Sequence, residues 1–352
     1  MGDGSVRKKS AGESRTTSTP PLAIRSLRRF VAIAGLLIVA LVAMIGCSSD
    51  SNDEPTKAAE PTTRVIETAK GSVTVPASAE RIVVLSGGLA GYLYALDAPV
   101  VATDTRVLGV TNFEGGFPPA WSDAAKAQGT KELPAGEQLN IEAVAAAEPD
   151  LIIGGGQGIT SVQSEELYDQ LTAIAPTVLV PKTVAAWDKQ LEIVADAAGR
   201  SDQVPALMSA YEDKVKEVKG KIKVPEGNVV YFLSVSSNKP YLVPPTAALP
   251  AMLAELGFKA DDVMAKAGNP QLFGSGDSFE VSPELLSQVA DAPVAFVIPV
   301  SGRPMAELAT DPLYSQLPSF KAGTTFELPA SSYRPDYDGA MATLDLIGQT
   351  FA

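Results

Sequence analysis

Three arginines, Arg106, Arg303 and Arg334, stand just past apolar runs that end in Gly, Pro or polar residues, and Tyr92, Trp121, Tyr241, Tyr333 and Gln157 stand in or beside loops of the same kind. A guanidinium offers two parallel donors to an oxyanion and stacks on aromatic faces, so this set suits holding a bulky, oxygen-rich anion better than breaking a bond. A surface ion pair accounts equally well for any one arginine, and packing for any one ring. Arg303 and Arg334 carry most weight, because an acidic chain places both at strand exits of its second half. Catalytic sets are scarce. Histidine is absent, which removes the Ser-His-Asp triad, Cys-His pairs and His-ligated zinc or haem. Ser236-Ser237-Asn238-Lys239 has the S-x-x-K spacing of a serine acyl-enzyme, but neither S-D-N nor K-T-G occurs anywhere. Gly154-Gly155-Gly156-Gln157-Gly158-Ile159 follows a strand as a dinucleotide loop does, yet Ile159 holds the place of the last glycine. Tyr333 and Tyr337 have the chemistry to meet ferric iron as phenolates, without an evident set of carboxylates to complete a site.

Charge narrows the partners. The chain has 28 Lys and Arg against 41 Asp and Glu; seven of the basic and two of the acidic residues precede Ser48, so the remainder carries 21 against 39, a formal net charge of −18. Such a surface repels polyanions, which argues against nucleic acid, and an anionic ligand needs a local cluster of positive charge.

Cys47 is the single cysteine, so no intramolecular disulfide can form. Arg25, Arg28 and Arg29 are followed by an uncharged apolar run from Phe30 to Ile45 and then by Gly46-Cys47-Ser48. That order is the order of a secretory leader. The stretch Met44-Ile45-Gly46-Cys47 resembles the lipobox of bacterial lipoproteins, which implies a signal peptide over 1–47, lipidation of Cys47 with acyl chains such as palmitate, and a protein held on the extracytoplasmic face of the cell membrane. An uncleaved anchor competes with this reading, although the run falls a little short of the roughly 18 to 20 residues a spanning helix needs. Residues 48–64, rich in Pro, Ser, Thr and charge, cannot bury enough apolar surface to fold and suit a flexible tether.

From residue 65 the pattern alternates short apolar strands with amphipathic helices. Strands are expected at Arg81 to Leu85, Val100 to Thr103, Leu151 to Ile153 and Thr177 to Val180, after a small hairpin around Val73 to Val75. A second series follows at Asn228 to Leu233, Pro293 to Ile298 and Thr324 to Leu328. Between the series, 185–221 is rich in Ala, Leu, Glu and Lys at helical spacing and is expected to form one long helix, softened near Ser201 to Pro205, with Trp187 packing its start onto a lobe. The expected organisation is a first lobe over 65–184, a backbone helix over 185–221 and a second lobe over 222–352, in an α/β fold whose loops beyond the carboxyl ends of the strands line a cleft.

Arg81-Ile82-Val83-Val84-Leu85-Ser86-Gly87-Gly88, the run Asn140 to Gly154, Leu171 to Val178, Trp187, Val281-Ser282-Pro283-Glu284, Asp311-Pro312-Leu313 and Ser332 to Tyr337, in that order, resemble the ferric-siderophore substrate-binding lipoproteins of ABC importers. The resemblance implies two Rossmann-like lobes joined by one long helix, with a monomer that moves little on closing. It implies a ferric siderophore as ligand, with no cofactor, no metal ligated by the protein and no catalysis, and delivery to an ABC permease. Tyr92, Arg106, Trp121, Gln157, Tyr241, Arg303, Tyr333 and Arg334 are the expected ligand-binding residues. Glu142 and Glu284, each in the first turn of a short helix, match the exposed acidic residue by which each lobe of the family docks on its permease, although the helix dipole favours Glu there in any case. Haem or a corrinoid in the same cleft is the alternative, and a cell-envelope enzyme is the alternative of another class.

Overall fold

The computed structural model describes residues 62–111 and 116–352. The leader with Cys47, and all of the tether before residue 62, lie outside the described residues. The chain divides into two units, Met1–Lys57 and Ala58–Ala352, and every described element and core residue belongs to the second, which carries the whole fold by itself. Among the described residues no helix is long and apolar enough to cross a membrane.

Strands β1 (Thr63–Thr68) and β2 (Gly71–Pro76) make the leading hairpin, in register from Thr63 opposite Pro76 to Thr68 opposite Gly71. Arg64 ties it down through Asp196 Oδ1 at 2.9 Å and the Ala197 carbonyl at 3.0 Å. The first lobe is a five-stranded parallel sheet. Its strands are β3 (Ile82–Val84), β4 (Val100–Thr103), β5 (Lys131–Glu132), β6 (Leu151–Gly155) and β7 (Thr177–Val180), in the order β5-β4-β3-β6-β7. The central strands are covered on both faces, as parallel sheets require, and this is why they read as unbroken runs of Val, Ile and Leu.

The second lobe repeats the plan with altered edges. Its strands are β8 (Asn228–Ser234), β9 (Tyr241–Leu242), β10 (Lys259–Ala260), β11 (Phe279–Glu280), β12 (Val294–Pro299) and β13 (Thr325–Glu327). Strands β8, β12 and β13 are parallel neighbours, β10 joins the start of β8, and the antiparallel pair β9 and β11 continues the sheet past the end of β8. The architecture is therefore the two-lobed α/β fold expected.

The joining segment departs from expectation. In place of one helix over 185–221 there are two, Trp187–Ala198 and Val204–Lys219. Gly199 closes the first in the left-handed region, at φ 72°, and a Cβ there would lie 2.1 Å from the Ala77 carbonyl oxygen. Pro205 opens the second, where its missing N–H has no helical partner to lose. Trp187, 5% exposed, locks the start of the spine against Tyr211 and Tyr337, with ring centroids 4.7 and 6.2 Å away.

The largest apolar core does not stop at the lobe boundary. It runs from Val84 and Ile153 through Trp187, Leu191 and Tyr211 to Tyr231 and Phe296. The final helix, Tyr337–Thr350, contributes Ala340, Leu344 and Ile347 to the same core. A large apolar joint of this kind holds two lobes in one arrangement and leaves only small shear motions available.

Candidate functional site

The cleft lies where the carboxyl ends of both sheets meet. On the first lobe the loop after β4 carries Arg106. Its guanidinium is fixed by the buried Asp104, to which Nε donates at 2.9 and 3.0 Å and Nη2 at 2.5 Å, by Gln163 Oε1 at 2.7 Å and by the Gly136 carbonyl at 3.1 Å. The loop after β6 carries Gln157, whose Nε2 crosses to the second lobe and donates to Asp277 Oδ2 at 3.1 Å.

On the second lobe the short 3-10 turn Ala330–Ser332 presents Tyr333 and Arg334. Arg334 grips the buried Asp277 in a two-pronged pair, Nε to Oδ2 at 2.5 Å and Nη2 to Oδ1 at 2.8 Å, with its guanidinium carbon 5.1 Å from the centre of the Tyr333 ring. The Tyr333 hydroxyl donates to the Asp277 carbonyl at 3.1 Å, and burial followed by the Asp277 carboxylate pushes its phenol well above its ordinary range. Arg334 Nη1 lies beside Gly158 of the first lobe. Arg106, Gln157, Tyr333 and Arg334 thus line one interlobe depression, together with Ser86, Gly88 and Ser331.

Two larger cavities open on either side, and Arg334 borders both. One, of about 560 Å³, lies between Val107, Val110, Pro118, Pro119 and Trp121 of the first lobe and Ala330, Asp336 and Asp338 of the second. Trp121 is a back wall rather than an open face: it is 2% exposed and packs on Tyr94 and Phe117 with centroids at 5.2 and 5.8 Å. The other cavity, of about 400 Å³, lies mainly on the second lobe and holds Tyr241 and Phe273, whose rings meet edge to face at 5.9 Å.

Two expected ligand residues are placed elsewhere. Tyr92 is 1% exposed within the helix Gly87–Ala95, and its hydroxyl donates to the Pro335 carbonyl at 3.1 Å, so it belongs to the joint between the lobes. Eight residues beyond the end of β3, the helical turn has carried it to the core side. Arg303 is held by Asp311 at 2.8 Å and borders none of the three cavities. Asp311 is fixed in turn as the cap of the helix Pro312–Ser315, and the Leu313 backbone N–H, with Arg303 behind it, keeps its carboxyl below the ordinary range. Glu142 and Glu284 are exposed in the first turns of Ile141–Ala146 and Pro283–Val289. Lys239, the last residue of the S-x-x-K stretch, pairs with Glu280 at 2.9 Å. Among the described residues no three His, Cys, Asp or Glu side chains gather as a metal site.

Asp277 carries no signal in the sequence that marks it as an arginine's partner. It ends the Gly-rich turn Gly274-Ser275-Gly276-Asp277, 57 residues from its arginine, and nothing in its spacing ties the two together.

Asp336 gives the site a pH signature. It caps the final helix through the Gly339 N–H at 2.8 Å, and burial raises its carboxyl from 3.8 to about 6. Its neighbour Asp338 is also raised by burial. The folded chain therefore holds these protons more tightly than the unfolded chain does. Stability is gained as pH falls through 6 towards 4 and lost as pH rises through the same window, with roughly 1 kcal/mol between pH 7 and pH 5 from Asp336. Urea unfolding at the two pH values is expected to show this gain, and Asp336→Asn is expected to remove most of it.

Comparison with known proteins places this geometry. A family model described as periplasmic binding protein matches residues 82–332. The ferric enterobactin-binding periplasmic protein of Escherichia coli O6:H1 is 29% identical over 291 residues, covering 82% of this chain and 91% of that protein. A probable siderophore-binding lipoprotein of Bacillus subtilis is 29% identical over 273 residues, covering 75% and 78%. Among solved structures, holo-ViuP superposes with a TM-score of 0.71 at 23% identity, over 82% of this chain and 95% of that one. PiaA of Streptococcus pneumoniae in complex with ferrichrome superposes with a TM-score of 0.64 at 22% identity, over 81% and 97%.

Proposed function

The chain belongs to the periplasmic binding protein family, and on that premise we propose that it is a lipid-anchored extracytoplasmic receptor that captures a ferric siderophore between its lobes and passes it to an ABC permease. The observation that carries this reading is the convergence of Arg106 and Gln157 from one lobe with Tyr333 and Arg334 from the other on a single depression flanked by two cavities. A ferric siderophore brings its own oxygen ligands to iron, so its receptor needs guanidinium and amide donors for the outer oxygens and apolar walls for the shell. The names of the relatives in Escherichia coli and Bacillus subtilis point to the same class of ligand.

Binding here precedes any chemistry, and the protein acts by capture and handover. Asp277 fixes Arg334 through Nε and Nη2; ligand oxygens would meet Nη1, the nitrogen that Asp277 leaves open. Cys47 would carry the lipid, and the segment between it and the hairpin, shorter than the expected 48–64 because Thr63 and Arg64 already belong to β1, would give the reach from membrane to permease. Glu142 and Glu284 would meet basic residues of the permease, one contact per lobe.

Uptake of radiolabelled ferric siderophore by cells lacking the gene tests the reading. Wild-type protein supplied back is expected to restore uptake, and a Cys47→Ser form is expected to appear in the medium and restore little. The charge reversals Glu142→Arg and Glu284→Arg are expected to lower uptake about tenfold together while siderophore affinity stays at the wild-type value. Uptake that is unaffected by deletion under iron limitation would contradict the proposal.

A further inference from the structure

The cavity of about 400 Å³ on the second lobe differs in chemistry from the rest of the cleft. Arg334 is the one charged residue on its walls; the others are apolar, glycine or hydroxyl-bearing, among them Leu108, Val235, Tyr241, Phe273 and Val300. The cavity of about 560 Å³ across Arg334 carries Asp336 and Asp338 in addition. Two of the most exposed large apolar side chains among the described residues face the smaller cavity from opposite lobes, Leu108 at 46% and Phe273 at 64% exposure. An aromatic ring left in water forgoes the gain its burial would bring.

Phe273 is nevertheless held in place. Its N–H donates to the Ser278 carbonyl at 2.7 Å, its own carbonyl accepts from the Gly276 N–H at 3.0 Å, and the Tyr241 ring supports one edge. A backbone fixed on both sides of an uncovered ring, with an uncovered leucine on the same cavity, makes a largely apolar slot with a single charged residue on its walls.

We infer that this slot receives an apolar arm, aryl or alkyl, carried by the ferric chelate whose oxygen-rich head meets Arg334. The inference rests on the receptor reading and narrows its ligand to chelates with such an arm. The occupant is part of the same ligand because the slot is continuous with the Arg334 depression and shares Leu108, Tyr333 and Arg334 with it. Phe273 and Leu108 act as specificity residues and leave the head group to the guanidinium.

The test is a calorimetric titration of Ala58–Ala352 with three ferric trishydroxamates that share one head and differ in a single N-acyl group, acetyl, hexanoyl or benzoyl. The hexanoyl or benzoyl form is expected to bind about tenfold more tightly than the acetyl form, equivalent to about 1.4 kcal/mol, and which of the two gains more separates an alkyl from an aryl arm. Phe273→Ser is expected to erase the gain, so that the three chelates bind alike, and Phe273→Trp to keep it. Equal affinities for all three in the wild type, or an equal loss for all three in Phe273→Ser, would overturn the inference while leaving the receptor reading intact. Absence of binding by all three trishydroxamates, with a ferric tris-catecholate and ferric citrate silent as well, would remove the receptor reading and the inference with it.

Discussion

Arg334→Ala is expected to weaken binding of a ferric siderophore at least a hundredfold and to lower the stability of the protein by about 3 kcal/mol. The two losses have different origins. Arg334 is 19% exposed and Asp277 is 4% exposed, so removing the guanidinium strands a carboxylate away from water with Gln157 as its remaining side-chain partner. That uncompensated charge is the source of the instability. The affinity loss comes from the ligand side, since Arg334 is the residue that borders all three cavities of the cleft from the second lobe with a charge to offer. The double variant Arg334→Ala/Asp277→Ala separates them. It removes both members of the pair, so stability in urea is expected to return to within about 1 kcal/mol of wild type while affinity stays lost. Recovery of affinity in the double variant would show that Arg334 acts by restraining Asp277 and not by meeting the ligand. Arg334→Lys is expected to fall between, because an ammonium keeps the charge and gives up the two-pronged geometry.

The second large effect is expected far from any ligand atom. Gly91→Ala should destabilise the protein by about 2 kcal/mol, although alanine is the better helix former by about 1 kcal/mol. Gly91 sits in the middle of the helix Gly87–Ala95, where it faces the start of the final helix, and a Cβ there would lie 1.8 Å from Asp336 Oδ2 and 2.6 Å from its Cγ. Asp336 cannot swing aside without loss, since its other oxygen caps the final helix through Gly339. One residue on, the Tyr92 hydroxyl holds the Pro335 carbonyl. The first lobe is thus bolted to the turn that presents Tyr333 and Arg334, and a methyl group at position 91 pushes on that turn. Thermal unfolding with and without ferric ligand measures both consequences: a lower melting temperature, and a smaller rise on ligand addition than in wild type. A melting temperature equal to or above the wild-type value would mean that the joint gives way freely and that the lobes are less tightly coupled than the shared core implies.

Much of this architecture was legible in the residues. Strands buried on both faces leave runs such as Ile82-Val83-Val84 and Leu151-Ile152-Ile153 that no surface element would carry. Pro283 marks the start of its helix because proline fits the first turn, and the helix Pro283–Val289 stands where it was expected. The break in the spine was written in Gly199 and Pro205 as a stop and a start, but the high helix propensity on both sides outweighed those two residues in a reading by periodicity. The short strands Tyr241–Leu242 and Phe279–Glu280 carry too few residues for any period to show, and they exist because the end of β8 leaves an edge to be paired.

The site was legible in kind and only partly in detail. Strand exits place a residue near the cleft but do not say which way its side chain turns. Arg303 finds Asp311 eight residues later and is drawn off the cleft, whereas Arg334 and Arg106 find aspartates that hold them at its lining. Phe273 lies in a Gly- and Ser-rich stretch without periodicity, so its position opposite Leu108 emerges from the packing of the two lobes.

The most direct test of the central claim is a fluorescence titration of purified Ala58–Ala352 with ferric tris-catecholate, tris-hydroxamate and citrate siderophores, their iron-free forms, haemin and cobalamin. Trp121 and Trp187 both lie in the core shared by the lobes, where a ferric chelate in the cleft quenches by energy transfer. Saturable quenching by at least one ferric siderophore, much weaker for its iron-free form and lost in the Arg334→Ala/Asp277→Ala variant, is expected. Saturation by haemin or cobalamin with no response to any ferric siderophore at micromolar concentration would contradict it.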